Sequence, residues 1–184
     1  IWKQKQKFKI HSPFAHTSLP LNLAAALTCL LSLGFKAEQV PKNLPLSLTK
    51  SPGRFHSIKT HFGARLIDDS YNANPESMKS ALRQLASYSK NRIFVMGDMG
   101  ELGINSQKHH QSIFQLSKQL GIEYLFYMGE YRQDAELIFG ENCYTSDNMN
   151  EIVKKLIKTS GEDSTILVKA SRFMNFDHIV KELK

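Results

Sequence analysis

In "ARLIDDSYNANPESM", residues 64–78, an apolar strand-like stretch runs through a polar loop into a helix. Ala64 to Ile67 are strand-like, and from Pro75 onward the chain reads as a helix. Asn74 is placed to cap that helix, Pro75 takes its first position, and Glu76 puts a negative charge in the first turn, where the helix dipole favours it. Between strand and helix stand Asp68, Asp69, Ser70, Tyr71 and Asn72, which is more polarity than a turn and a cap require. Carboxylates at a strand end are good receptors for sugar hydroxyls, because each oxygen accepts two hydrogen bonds.

The same unit recurs downstream. "RFHSIKT" and "ARLID" read as a strand pair turned at His61 to Gly63. Pro75 to Ser89 reads as a helix with Met78, Leu82, Leu85 and Ala86 on one face. "NRIFVMG" and "IEYLFYMG" are apolar enough to be buried strands, followed by helices over Ser106–Leu120 and Glu130–Phe139. "NCYT", a helix over Asp147–Thr159, the strand "STILVKA" and a helix over Phe176–Leu183 complete the series. Apolar strands alternating with helices imply a mostly parallel sheet covered on both faces, an α/β Rossmann-like domain. Upstream the reading changes. Residues 8–10 and 14–18 suit a short strand, and "LNLAAALTCLLSLG" after Pro20 is a helix closed by Gly34. A short helix over Ala37–Leu44 then precedes the connector "PLSLTKSPG", whose composition marks a domain boundary near residue 50.

In parallel sheets, ligands bind at the carboxyl ends of the strands. The loops at issue are Asp68–Pro75, Gly97–Gly103, Gly129–Glu130 and Lys169–Arg172. "VMGDMGELG" spaces its glycines unlike a dinucleotide fingerprint or a P-loop, and Asp98 and Glu101 repel phosphate. It is either a pair of glycine turns with capping acids or a pocket for an amine or cation. In "VKASR", Lys169, Ser171 and Arg172 offer two cations and a hydroxyl to a carboxylate or phosphate, or else are solvated surface charge.

Composition excludes several classes. Of the 184 residues 41% are hydrophobic and 22% charged, as in soluble globular proteins. The longest apolar run, Leu19–Leu33, is broken by Asn22, Thr28 and Ser32 and is shorter than a membrane span. No signal peptide is recognisable at the start, so the expected compartment is the cytoplasm. Cys29 and Cys143 lack partners at metal-ligand spacing, and no metal site is expected. The net charge of +7 comes largely from "KQKQKFK" and scattered lysines, without the aromatic interleaving of a nucleic-acid binder. Neither nucleic acid nor membrane is expected as a partner.

"LIDDSYNANPESM", "VMGDMGELG", "LGIEYLFYMG" and "ILVKASR", in this order, resemble the Mur ligases, in the branch that joins D-Ala-D-Ala to UDP-MurNAc-tripeptide. "NLAAALTCLLSLGF" resembles the last helical region of that family's central ATPase domain, and "PGRF" its junction with the C-terminal domain. The resemblance therefore implies that residues 1–50 are the tail of the ATPase domain and residues 51–184 the Rossmann-like C-terminal domain. It implies ATP and Mg2+ as cofactors, the metal bound mainly by other domains, and amide formation through an acyl phosphate. Such a reaction is mainly a task of positioning, suited to a mobile closing domain.

Position by position, Asn22 matches the family's adenine-contacting asparagine, and Arg54 and Asp69 match the arginine and aspartate that hold the ATP ribose. Tyr71, Asn72 and Asn74 match the rest of the substrate-binding signature. Lys169, Ser171 and Arg172 match a "KGSR" segment and are expected to face the dipeptide carboxylate. His110 falls where the family often has a histidine, with a helix-surface role as the alternative. No catalytic residue is assigned.

Two departures stand out: Ser18-Leu19 occupies the place of a His-Asn pair, and Ala170 replaces a glycine. No G-x-x-x-x-G-K-[ST] occurs, so the γ-phosphate has no cradle here. The expectation is a chain inactive by itself, a fragment or split product that needs the missing N-terminal and central domains. The alternatives are a folylpolyglutamate-type ligase, which the "SYNANP" signature argues against, and a non-catalytic Rossmann-like binding module.

Overall fold

A computed structural model describes residues 19–39, 52–89 and 91–184. Its internal contacts divide the chain into two units, residues 1–50 and 51–184. In the first, α1 spans Leu19–Ser32 and ends at Gly34, whose φ of 91° is a conformation that glycine adopts without penalty. Of the short helix expected over Ala37–Leu44, Ala37–Gln39 form a 3-10 turn. The rest of that helix, the strand over 8–18 and most of the connector lie outside the described residues.

The second unit is a six-stranded sheet. Its strands are β1 (His56–Lys59), β2 (Arg65–Asp68), β3 (Arg92–Gly97), β4 (Tyr124–Met128), β5 (Cys143–Thr145) and β6 (Thr165–Lys169), in the order β1-β2-β6-β3-β4-β5. Only β1 runs antiparallel, paired with β2 as the sequence implies; every other neighbour is parallel. Between strands lie α2 (Pro75–Ala86), α3 (Ser106–Gln119), α4 (Arg132–Phe139) and α5 (Met149–Thr159), and α6 (Asp177–Leu183) follows β6.

Handedness explains the layering. The steps β2→β3→β4→β5 all move across the sheet in one direction, so right-handed crossovers put α2, α3 and α4 on the same face. The return from β5 to β6 reverses direction and puts α5 on the other face, where α6 joins it. The two cores follow this division. Met78, Leu82 and Leu85 of α2 and Ile113 and Phe114 of α3 meet Phe94, Met96, Leu125 and Leu167. On the opposite face Ile152 and Leu156 of α5 and Ile179 and Leu183 of α6 meet Ile93, Val95, Phe126, Ile166 and Val168. The alternation of strand residues between the clusters is the period-2 pleat of a sheet buried on both sides.

The boundaries differ from the sequence reading in ways with local causes. Helix α2 stops at Ala86, because the Ser87 hydroxyl turns back onto the Gln84 carbonyl (2.7 Å) and satisfies the helix end. Ala81, and not Ala86, completes its buried stripe. Helices α4 and α5 begin two residues later than expected, α5 because Asn148 caps the Asn150 amide. Short 3-10 turns at Gly103–Asn105 and Arg172–Met174 were not foreseen. Among the described residues no helix is long and apolar enough to cross a membrane.

Candidate functional site at the carboxyl edge of the sheet

The topological switch places the carboxyl ends of β2, β6, β3 and β4 side by side on one edge. The loops that leave them are tied together by side chains. Asp68, 4% exposed, accepts from the Gly53 amide (3.0 Å) with one oxygen and from the Ser70 amide and hydroxyl (3.2 and 2.6 Å) with the other. Asp69 accepts from the Phe55 amide (3.0 Å). The two aspartates thus pin the entering segment 53–55, in which Gly53 and Phe55 both have positive φ, to the end of β2. A Cβ on Gly53 would stand 3.0 Å from Tyr71, so close approach as well as φ selects glycine there.

Asp69 also meets Lys169. The Lys169 ammonium lies 2.7 Å from Asp69 Oδ2 and donates to the Asn72 carbonyl (2.9 Å), with its side chain 3% exposed. A buried ammonium requires such partners, since an unpaired charge is costly to desolvate. Ser171, 4% exposed, accepts from the Gly100 amide (2.8 Å) and donates to the Ala73 carbonyl (3.3 Å), joining three loops through one hydroxyl. Arg172 is exposed and stands 3.7 Å from Asp177. Ala170 does not adopt positive φ, so its methyl group is accommodated without strain; it packs where a Cβ on Gly97 would stand, 2.7 Å away.

The remaining expected residues are more exposed. The Arg54 guanidinium lies over the Tyr71 ring, 4.5 Å from its centroid, forming a cation–aromatic platform. Asn72 accepts from the Ala73 amide (2.9 Å). Asn74 caps α2 in a reciprocal capping box with Ser77 (2.9 and 3.1 Å), the structural role its position implies. Asn22 is exposed on α1 of the other unit. Beside the platform lies an open cleft of about 310 Å³ bounded by Gly53, Ser70, Tyr71, Arg172, Asp177 and Lys181. A larger hollow, about 450 Å³, lies at the amino edge between Lys118, Gly121, Glu123, Phe139 and Asn142. There Lys118 is bound to the Ile138 carbonyl and Glu123 to Arg92. The carboxyl edge is the better candidate despite its smaller cleft, because parallel-sheet chemistry gathers there.

A second network on this edge escaped sequence reasoning. Asp98 accepts from the Tyr127 hydroxyl in a short hydrogen bond and from the Glu130 amide (3.0 Å), and its backbone carbonyl accepts from the Ser171 amide (3.0 Å). Its carboxylate therefore ties the β3 loop to β4 and the loop after it, and its backbone carbonyl ties it to the β6 loop. Burial, reinforced by Asp98, pushes the Tyr127 hydroxyl above the ordinary tyrosine range, so it stays a donor. His110 is fully buried, which corrects the helix-surface alternative: α3 turns it inward, under the loop. Tyr127 lay hidden inside an apolar strand run, and only the Gly97-Asp98 dipeptide at a strand end hinted at the cluster.

A six-stranded, mostly parallel sheet with helices on both faces and its polar side chains gathered at the carboxyl edge defines an α/β domain of the Rossmann-like class. The chain belongs to the Mur ligase family: residues 53–172 match the family profile described as "Mur ligase, glutamate ligase domain". It is 34% identical, over 98% of its length, to the UDP-N-acetylmuramoyl-tripeptide–D-alanyl-D-alanine ligase of Buchnera aphidicola subsp. Baizongia pistaciae, and covers 41% of that protein. The Escherichia coli enzyme of the same name is 32% identical over 89% of the chain, with 36% of the enzyme covered. The fold superposes on MurF from Acinetobacter baumannii with a TM-score of 0.77 at 26% identity, covering 95% of this chain and 39% of that one. It also superposes on the MurF ligase of Thermotoga maritima, solved in complex with ADP, with a TM-score of 0.72 at 23% identity, covering 95% of this chain and 40% of that one. The chain thus spans about two fifths of the length of the curated relatives it matches.

Proposed function

We propose that this chain supplies the C-terminal part of an ATP-dependent ligase that joins D-Ala-D-Ala to UDP-MurNAc-tripeptide. Residues 51–184 form the domain that closes over nucleotide and dipeptide, and residues 1–50 belong to the end of the ATPase domain. The observation that carries this reading is the similarity of nearly the whole chain to ligases of that name. ATP, when bound, supplies the activation of the peptide carboxyl group.

The donor set fits the ribose end of a nucleotide: a carboxylate pre-aligned by Lys169, and a guanidinium held over the Tyr71 ring. Arg54 and Asp69 take the ribose. Arg172, the exposed cation at the mouth of β6, takes the dipeptide carboxylate. Lys169 and Ser171 serve the same site by holding Asp69 and the three loops in place, and Tyr71, Asn72 and Asn74 shape its floor. No group of three or more acidic, histidine or cysteine side chains among the described residues is arranged to hold a metal ion. In this reading Mg2+ is bound mainly by the parts of the relatives that this chain does not match.

The test joins the chain to the matching N-terminal and central segments of a relative and measures phosphate release with D-Ala-D-Ala, L-Ala or glutamate as acceptor. Turnover with D-Ala-D-Ala alone is expected, and Asp69→Ala in the same fusion should raise the KM for ATP. Equal turnover with all three acceptors would refute the assigned branch.

A further inference from the structure

His110 has a geometry that the proposed ligase reading leaves unused. Its Nδ1–H donates to the Ser106 carbonyl one turn back on α3 (2.8 Å), so its Nε2 is a lone-pair acceptor, and that atom receives the Met99 amide at 2.9 Å. The tautomer follows from both partners, because a backbone carbonyl cannot donate and an amide cannot accept. The ring is sealed by Tyr131, 4.6 Å away between centroids, and by Phe114 and Tyr127 at 6.4 Å. Asp98 Oδ1 waits 3.4 Å from the same Nε2. With Met99 N–H pointing at the lone pair, that approach is not a hydrogen bond in the neutral state.

We infer that His110 is a proton-controlled latch: neutral, it fastens the Gly97–Gly103 loop through the Met99 amide, and protonated, it exchanges that amide for the Asp98 carboxylate and releases the loop. Protonation puts hydrogen on the one atom that accepts from Met99, so the amide loses its partner as Asp98 gains a cationic donor. Asp98 is already engaged by Tyr127 and Glu130, and Gly100 next to Met99 is tied to Ser171, so the exchange reaches all three loops of the carboxyl edge.

The groups facing the imidazole set the direction of its response. Asp98 on the β3 loop and Glu130 after β4 favour the cation, His109 on its own helix opposes it, and Asp134 on α4 is held by Gln107. Burial outweighs the Ser106 hydrogen bond and the two carboxylates and holds His110 below the ordinary 6.5. The unfolded chain therefore takes up the proton first. Stability is fully present above the unfolded value and falls as pH drops from about 6.5 through the folded value.

The test needs no nucleotide or acceptor, so it stands apart from the ligase assay. Amide hydrogen exchange of the 184-residue chain is followed from about pH 8 to about pH 5 as protection factors, with nitrogen-15 NMR of the imidazole recorded alongside. The expected result is an Nδ1–H tautomer at neutral pH. Met99 protection should fall about tenfold as His110 titrates, while Ile113 and Phe114 on α3 keep theirs. His110→Gln, whose amide oxygen replaces the Nε2 acceptor without titrating, should make Met99 protection independent of pH. Asp98→Asn should move the release to lower pH. An Nε2–H tautomer, flat Met99 protection across the titration, or a His110 still neutral at about pH 5 would each overturn the latch. A uniform loss of protection through α3 and β3 would overturn it as well, since that is global unfolding.

Discussion

The two edges of the sheet use charge in opposite ways. At the amino edge Arg92 grips Glu123 with two nitrogens (3.0 Å each) and reaches the Ala86 and Gly121 carbonyls (3.0 and 2.7 Å), closing the ends of α2 and α3. Burial there tends to raise the Glu123 carboxyl, but its bonds to Arg92 prevail and hold it below the usual carboxylate range. Both partners remain partly open to water, with side chains 16% and 28% exposed. At the carboxyl edge the Lys169 side chain is 3% exposed, and the Asp69, Asp98 and Ser171 side chains link segments that are distant in sequence. At the second edge Asp69 is as open as Arg92, its side chain 16% exposed, but the Lys169 ammonium is sealed, so water can replace a partner lost at the first edge and cannot reach the cation of the second. The charges of the amino edge close turns, whereas those of the carboxyl edge preset the geometry of four loops.

Substitutions should separate the two. Lys169→Met removes a sealed cation and leaves Asp69, whose side chain is 16% exposed and keeps the Phe55 amide, without its ion pair, with an expected loss of about 2–3 kcal/mol in urea unfolding. Lys169→Met together with Asp69→Leu should recover much of that loss, because the penalty belongs to a carboxylate that has lost its cation. Arg92→Met at the amino edge should be milder, about 1–2 kcal/mol, since solvent satisfies the exposed carbonyls it abandons. A loss equal to that of Lys169→Met would erase the contrast between the edges. Asn74→Ala takes away one cap and should lower stability by about 1 kcal/mol, seen as faster amide exchange confined to the first turn of α2. The smallest effect is expected for Arg54→Ala, about 0.5 kcal/mol, because an exposed guanidinium over Tyr71 contributes little to folding. A large loss there would mean that the platform is structural and would weaken its assignment to the nucleotide.

The strands and helices were legible because each buries a face and so carries a period. "IFVM", "YLFYM" and "TILV" are apolar without a break since the sheet is covered on both sides, and Asn74-Pro75 announces α2 through its capping chemistry. Helix ends were less legible: a single hydroxyl, that of Ser87, decides where α2 stops. The polarity of "DDSYNANP" was visible as an excess, but its division of labour was not. Asp68 serves the segment around Gly53, Asp69 joins Phe55 and Lys169, Asn74 starts a helix, and Tyr71 carries Arg54.

The class of fold, the edge at which the polar loops converge and the family can be read from the residues in order, because hydrophobic period, turn residues and motifs are local and survive reading in one dimension. Which polar groups are buried, and against what, follows from the three-dimensional packing. Lys169 meets the Asn72 carbonyl across 97 residues, and His110 meets Met99 only because α3 folds back under the β3 loop. Partnership of that kind depends on crossover handedness and strand order, which bring remote side chains within hydrogen-bond reach and leave no trace in their spacing along the chain.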